Sequence, residues 1–246
     1  MISYKEYTMM FREWVTAWAM GIGLAAAVSY TFYRSVWVFL ALCPGVAFYV
    51  RYRKQELQRK RLLELKLQFK EGIRILASSL GAGYSVENAL AASQKELELL
   101  YGSRDMIGLE FAYMVQQTKT NRPVEILMMD FAARSGLEEV ENFAAVFGAA
   151  KRSGGRLVPI IQHTADMIQD KIQIQEEIRT LTASRQFEQK IMNVLPFFMI
   201  FYMDQTSPGL FDVMYETALG RGVMTVCFVL YLTAIVLARK ILNIPV

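Results

Sequence analysis

The sequence predicts an all-α membrane protein in which about four transmembrane helices, arranged as two hairpins, flank a cytoplasmic bundle of about six helices. Three observations predict it. Apolar residues make up 54% of 246 positions and the mean hydropathy is positive, above the soluble norm of about 45–50%. The charges crowd into the middle of the chain, leaving residues 14–33, 36–50, 191–203 and 223–238 almost uncharged. Within that middle, apolar residues recur at steps of three and four, and no stretch alternates at period two, so strands are not expected.

Residues 1–50 form the first hairpin. A helix rises 1.5 Å per residue, so crossing a hydrocarbon core of ~30 Å takes ~20 residues, a length that Trp14 to Tyr33 reaches unaided. Lys5, Arg12 and the small residues of "LAAAVS" also fit a cleaved signal peptide. A second apolar stretch follows after only Arg34 and Ser35, as a retained hairpin requires. Residues 36–50 and 191–203 are short, at 15 and 13 residues. Each must borrow flanking residues, let Arg51 or Lys190 snorkel, or thin the bilayer. Gly21, Gly23, Ala25 and Ala27 would let the backbone of another chain approach closely.

Orientation follows from the basic residues, which stay on the cytoplasmic side of short loops. Of 27 Lys and Arg, 21 lie between Arg51 and Lys190. That block, residues 51–190, is therefore cytoplasmic, both hairpin tips are outside, and both termini of this multi-pass chain face the cytoplasm from the cytoplasmic (inner) membrane. Arg51, Arg53, Lys54, Arg59, Lys60 and Arg61 stand directly after the second apolar stretch, where anionic lipid headgroups attract them, and are read as membrane-surface anchors. Against its 21 cations the block carries 18 acids. So small an excess argues against nucleic acid as a partner.

Inside the block the stripes run Leu62, Leu65, Phe69, Ile73, Leu76, Leu80, then Val86, Leu90, Ser93, Leu97, Leu100. Ile107, Phe111, Met114, then Val124, Leu127, Phe131, and Val140, Phe143, Phe147, Ala150 give three more helices. A last stripe through Leu157, Ile160, Thr164, Met167, Ile174, Ile178 and Leu181 holds a seven-residue rhythm and runs on into the third span.

The joint between the first two helices, "SSLGAGYSVENALAAS", has the glycines and hydroxyl of a phosphate loop, but no Lys follows the glycines and no strand precedes them. Gly83 instead sits where a helix stop takes a left-handed residue, Ser85 where the next helix takes an N-cap, and Glu87 in its first turn. Gly136, and Gly154 with Gly155, mark two further corners, the latter followed by Pro159 early in the next helix. His163 is the only histidine and no Cys-x-x-Cys is present, so zinc is disfavoured. Cys43 and Cys227 fall within spans, and the adjacent acids Glu138 and Glu139, like Glu176 and Glu177, read as solvent-facing. No cofactor, metal or catalytic residue is expected, and the chain is read as not an enzyme. A transporter component, or a membrane-anchored helical scaffold unrelated to pili, is the alternative, although no span carries a mid-membrane charge to mark a path.

The order of a glycine corner "GAGYSVENAL", a second corner "RSGGRLVPIIQHTADMIQDKIQIQEEIRTLTASRQFEQKIMNVLPF", and an acidic outer loop at 204–220 with "PGLF" and "ALGR" before a last span in a hairpin of residues 191–246 resembles the F-type platform domain of type II secretion systems and type IV pili. Within that family the chain is most similar to the single-domain TadB-type platforms of the tight-adherence pilus, with the TadC type left open. The resemblance covers residues 60–246. It implies that Gly83, Ser85, Gly154, Gly155 and Pro196 shape corners and the membrane helix, and that no position is catalytic. It also implies the partners: a secretion ATPase hexamer, a sister platform protein (TadC-like) or a second copy in a homodimer, pilin subunits, and membrane lipids.

Overall fold

The computed structural model describes residues 4, 9–102, 105–153, 157–207, 209 and 211–242. Among them are nine helices and no strand: α1 (Phe11–Tyr33), α2 (Val36–Gly81), α3 (Val86–Tyr101), α4 (Met106–Thr118), α5 (Val124–Ser135), α6 (Glu138–Ser153), α7 (Leu157–Thr206), α8 (Asp212–Glu216) and α9 (Ala218–Leu242). They divide between two compact units, one of Met1–Thr8 with Gln55–Ile174 and the other of Met9–Lys54 with Gln175–Val246. The last bundle residue of this unit is Ile174, and the side chains from 175 to 190 are mostly exposed. Tyr4, within the stretch that the sequence assigns to the hairpin, is buried in this unit's core at 2% exposure.

In the first unit six helical segments enclose five fully buried phenylalanines, Phe69, Phe111, Phe131, Phe143 and Phe147. Phe69 meets Phe143 edge-on with ring centroids 5.8 Å apart and Phe131 at 6.1 Å. Each such ring withdrawn from water stabilises the fold by about 1.5–3 kcal/mol. The stripes expected for α2, α4, α5 and α6 are the ones that face this core. On α7 the core face is Ile161, Ala165, Ile168 and Ile172, so the expected stripe is turned away: Ile160, Met167 and Ile174 are exposed. In α3 Leu97 is buried but Leu100, at the end of its stripe, is exposed.

The second unit has the opposite distribution. Its buried cluster is small, Val28, Phe32, Tyr215 and Met224 with Phe197 and Phe228 against it, while Trp37, Phe48, Phe198, Val236 and Ile241 stand exposed. So much apolar surface facing outward on several helices is what lipid, and not water, covers. Among the described residues three helices are long and apolar enough to cross a membrane: α1, α2, and Leu219–Ala238 within α9. Residues 191–203 lie inside α7 and are not among them. On α1 the buried face is Ala17, Gly21, Ala25, Val28 and Phe32. A Cβ on Gly21 would stand 2.7 Å from Val46 Cγ1 of α2, so Gly21 serves close approach within the hairpin, whereas Gly23 has nothing within 4 Å.

Candidate functional site

The corner between α2 and α3 is a helix stop followed by a helix start. Gly83 has φ 91°. Its N–H donates to the Leu80 carbonyl at 3.0 Å, and the Tyr84 N–H donates to Ser79 at 3.2 Å. This pair of bonds is the Schellman arrangement that satisfies the last carbonyls of a helix. Ser85 Oγ then accepts from the Asn88 N–H at 3.3 Å, capping α3. The amides that a phosphate loop would aim at a ligand are therefore engaged in the corner itself. Gly83→Val is expected to destabilise the bundle by about 1–2 kcal/mol. Open space surrounds the position, so the cost is that of the backbone alone, and a variant with an unchanged unfolding midpoint would contradict this origin.

Gly136 ends α5 in the left-handed region, at φ 65°, with its N–H on Ala132 at 2.9 Å. Glu138, Glu139 and Glu141 follow in the first turn of α6, where acids complement the helix dipole. Gly154 and Gly155 lie outside the described residues. Pro196 falls within α7, where it removes one helical donor. Beside it the Tyr231 hydroxyl of α9 donates to the Asn193 carbonyl at 2.5 Å, an added partner for a neighbouring carbonyl of the same turn.

The six basic residues expected at the membrane surface all lie on α2, and at 100° per residue they surround the helix. Arg51, Lys54, Arg59 and Lys60 are exposed. Lys60 reaches Glu56 at 3.4 Å. Arg61 is turned elsewhere, its guanidinium 5.6 Å from the centre of the Tyr4 ring.

Two clusters of buried ions hold the bundle together, and neither is visible as a motif. Glu110 of α4 is 5% exposed. It accepts from Arg134 of α5 through both carboxylate oxygens, at 2.7 and 2.6 Å. Arg134 Nε also donates to Asp130 at 3.1 Å. Tyr4 completes the group: its hydroxyl donates to Glu110 Oε1 at 2.9 Å, its N–H donates to the Arg134 carbonyl at 3.3 Å, and its ring meets Phe131 edge-on at 6.5 Å. Burial, then the adjacent Glu110 charge, pushes the Tyr4 phenol above its ordinary value. The second cluster corrects the solvent-facing reading of Glu139, which is buried on α6 between Lys66 of α2 at 2.8 Å and Lys171 of α7 at 3.2 Å. Burial alone would raise this carboxyl, but hydrogen bonds from Lys66, its own backbone and Lys171 hold it below the usual glutamate range.

In the second unit the hairpin tip carries a third group. Arg34, at φ 43°, pairs with Asp204 and lies 3.4 Å from Asp212, with its guanidinium 5.0 Å from the Tyr215 ring centre. Tyr215 in turn donates to the Thr31 carbonyl at 2.7 Å. Two of the three acids of the loop at 204–220 are thus tied to the single cation of the other tip. Gly220, inside the "ALGR" stretch, is a further structural position: a Cβ there would stand 2.5 Å from Met214 Cα.

No protein-family model, curated protein or solved structure matches this chain.

Proposed function

We propose that the chain is a platform protein of a type II secretion or tight-adherence pilus machine in the cytoplasmic membrane, a non-enzymatic scaffold that couples a cytoplasmic secretion ATPase to the assembly of pilin subunits. The observation that carries the reading is the pair of units on one chain: a helical bundle with a closed aromatic core, and a set of helices whose apolar residues face outward. The reading is supported by Gly83 and Ser85 at a helix corner and by Pro196 in the apolar last part of α7. A fourth crossing at 191–203 is favoured by the exposed Met192, Val194, Phe198 and Phe201, which in water would cost what lipid contact relieves. Burial of Tyr4 in the bundle supports an amino terminus on the same side as the bundle, and the basic excess of residues 51–190 supports the cytoplasm as that side.

Two measurements test this. In a background with Cys43 and Cys227 replaced, single cysteines at Ser207 and Thr217 are expected to react with an impermeant maleimide in intact cells, and one at Asn142 is not. Labelling at Asn142 alone reverses the orientation. Extracted in mild detergent from its native host after crosslinking, the protein is expected to carry a sister platform protein or a second copy together with the ATPase. A strictly monomeric species with neither sinks the platform reading.

A further inference from the structure

We propose that one end of the helical bundle, where α2 turns into α3, α4 turns into α5 and α6 ends, is a docking surface for an acidic face of another protein. Two levels of contact bring these corners to one end. At the first level Glu139 of α6 meets Lys66 of α2 and Lys171 of α7, Gln68 of α2 donates to Asp105, which caps α4, and Glu110 of α4 accepts from Arg134 of α5. At the second level the start of α7 stands against the end of α2 through Gln162 and Gly81. There too Lys151, near the end of α6, reaches Glu125 in the first turn of α5 at 2.9 Å. Successive helices therefore run up and down between the two levels, and residues 81–85, 119–123 and 150–152 share the second.

The charges at this end are unbalanced, although residues 51–190 carry 21 cations and 18 acids in all. Its described acids are Glu87 and Glu125, and Glu125 is taken by Lys151. Lys119, Arg122 and Arg152 are exposed and form no ion pair among the described residues. Arg122 donates to Gln117 Oε1 at 3.4 Å, a neutral acceptor that leaves its charge unmatched. The corner that presents Lys119 and Arg122 is fixed by its own backbone. Asn121 is left-handed at φ 60°, and the N–H groups of Thr120, Asn121 and Arg122 donate to the carbonyls of Gln117, Thr118 and Gln117 at 3.0, 3.0 and 3.3 Å. Cations held on so rigid a frame lose little freedom on meeting carboxylates, and a guanidinium can grip a carboxylate through two bonds at once. Tyr84 and Ile126 stand exposed at the same end. Arginine and tyrosine are the types that anchor protein interfaces, whereas recognition of anionic lipid draws on clusters of about four to eight cations. The surface is drawn from the bundle's own residues and holds whether or not the chain is a platform protein.

Photocrosslinking of the full-length protein in its native host tests it. p-Benzoylphenylalanine in place of Tyr84 is expected to join one protein through a peptide rich in Asp and Glu. The same probe in place of Leu99, in the last turn of α3 at the other end of the bundle, is expected not to yield that product. Arg122→Glu with Arg152→Glu is expected to cut the Tyr84 product roughly tenfold or more, as reversal of charges across an interface does. Exchange of acids in the crosslinked peptide for Lys is then expected to restore the product, a rescue that a misfolded variant would not show. A phospholipid adduct at Tyr84, or no adduct, overturns the proposal. So does a protein joined through a peptide without acids, a yield that the charge reversal leaves unchanged, or a loss that the exchange does not rescue.

Discussion

Phe143→Ala is expected to lower the stability of the bundle by about 3–5 kcal/mol, the range for truncating a buried aromatic. Phe143 has no exposure, meets Phe69 edge-on at 5.8 Å and lies 6.1 Å from Phe147. Its removal therefore opens a void among side chains that close-packed neighbours can only partly fill. A typical domain is stable by only about 5–15 kcal/mol, so this variant sits near the edge of folding. Phe143→Leu keeps most of the volume and is expected to cost about 1.5 kcal/mol or less. Thermal unfolding followed by helical circular dichroism in detergent separates the two, and equal midpoints for the Ala and Leu variants would contradict the cavity account.

Glu110→Ala is expected to cost about 3–5 kcal/mol, since removing one partner strands a buried charge. The Arg134 side chain is 14% exposed and would lose its bidentate acceptor, while Asp130, which it also meets, is 40% exposed. Replacing both ions, as Glu110→Met with Arg134→Met, is expected to recover most of the loss, because two apolar side chains avoid the desolvation that the ion pair has to offset. A double variant as unstable as Glu110→Ala would show that the pair supplies net stability. Tyr4 loses its acceptor in either case, so its contribution is common to both variants and cancels in the comparison.

Most of the helices were legible because their apolar residues fall on one face only. Leu65 and Phe69 on α2 stand between Glu64 and Lys66 and between Gln68 and Lys70, and Val140 on α6 between Glu139 and Glu141, which marks one way to turn each helix toward a core. On α7 two apolar lines run side by side, Ile160, Met167, Ile174 and Ile161, Ile168, Ile172. Periodicity detects both and cannot rank them. Packing does, since the line of Ile161 and Ile168 also contains Ala165, small enough for close approach, and the adjacent Gln162 amide stands where a side chain on Gly81 would have to go. The ion clusters were illegible for a different reason. A buried glutamate is betrayed only by partners distant in sequence, and Glu110 meets Arg134 and Tyr4 while Glu139 meets Lys66 and Lys171. Adjacent to Glu138, Glu139 resembles any solvated pair.

The joint between α1 and α2 bears on how the chain enters a bilayer during synthesis. Only Arg34 and Ser35 separate the two helices, and the turn is closed by the Ser29 hydroxyl donating to the Ser35 carbonyl at 2.8 Å. A joint this short gives α1 no slack in which to settle before α2 arrives. On the proposed topology Arg34 also passes the hydrocarbon centre to reach the far side, at about 2.5–3.5 kcal/mol on insertion scales. That cost is spread over the favourable transfer of two apolar helices when they move together, but falls on one when α1 moves alone. On that topology the hairpin enters the bilayer as one cargo, whose commitment to the membrane waits until α2 has been synthesised.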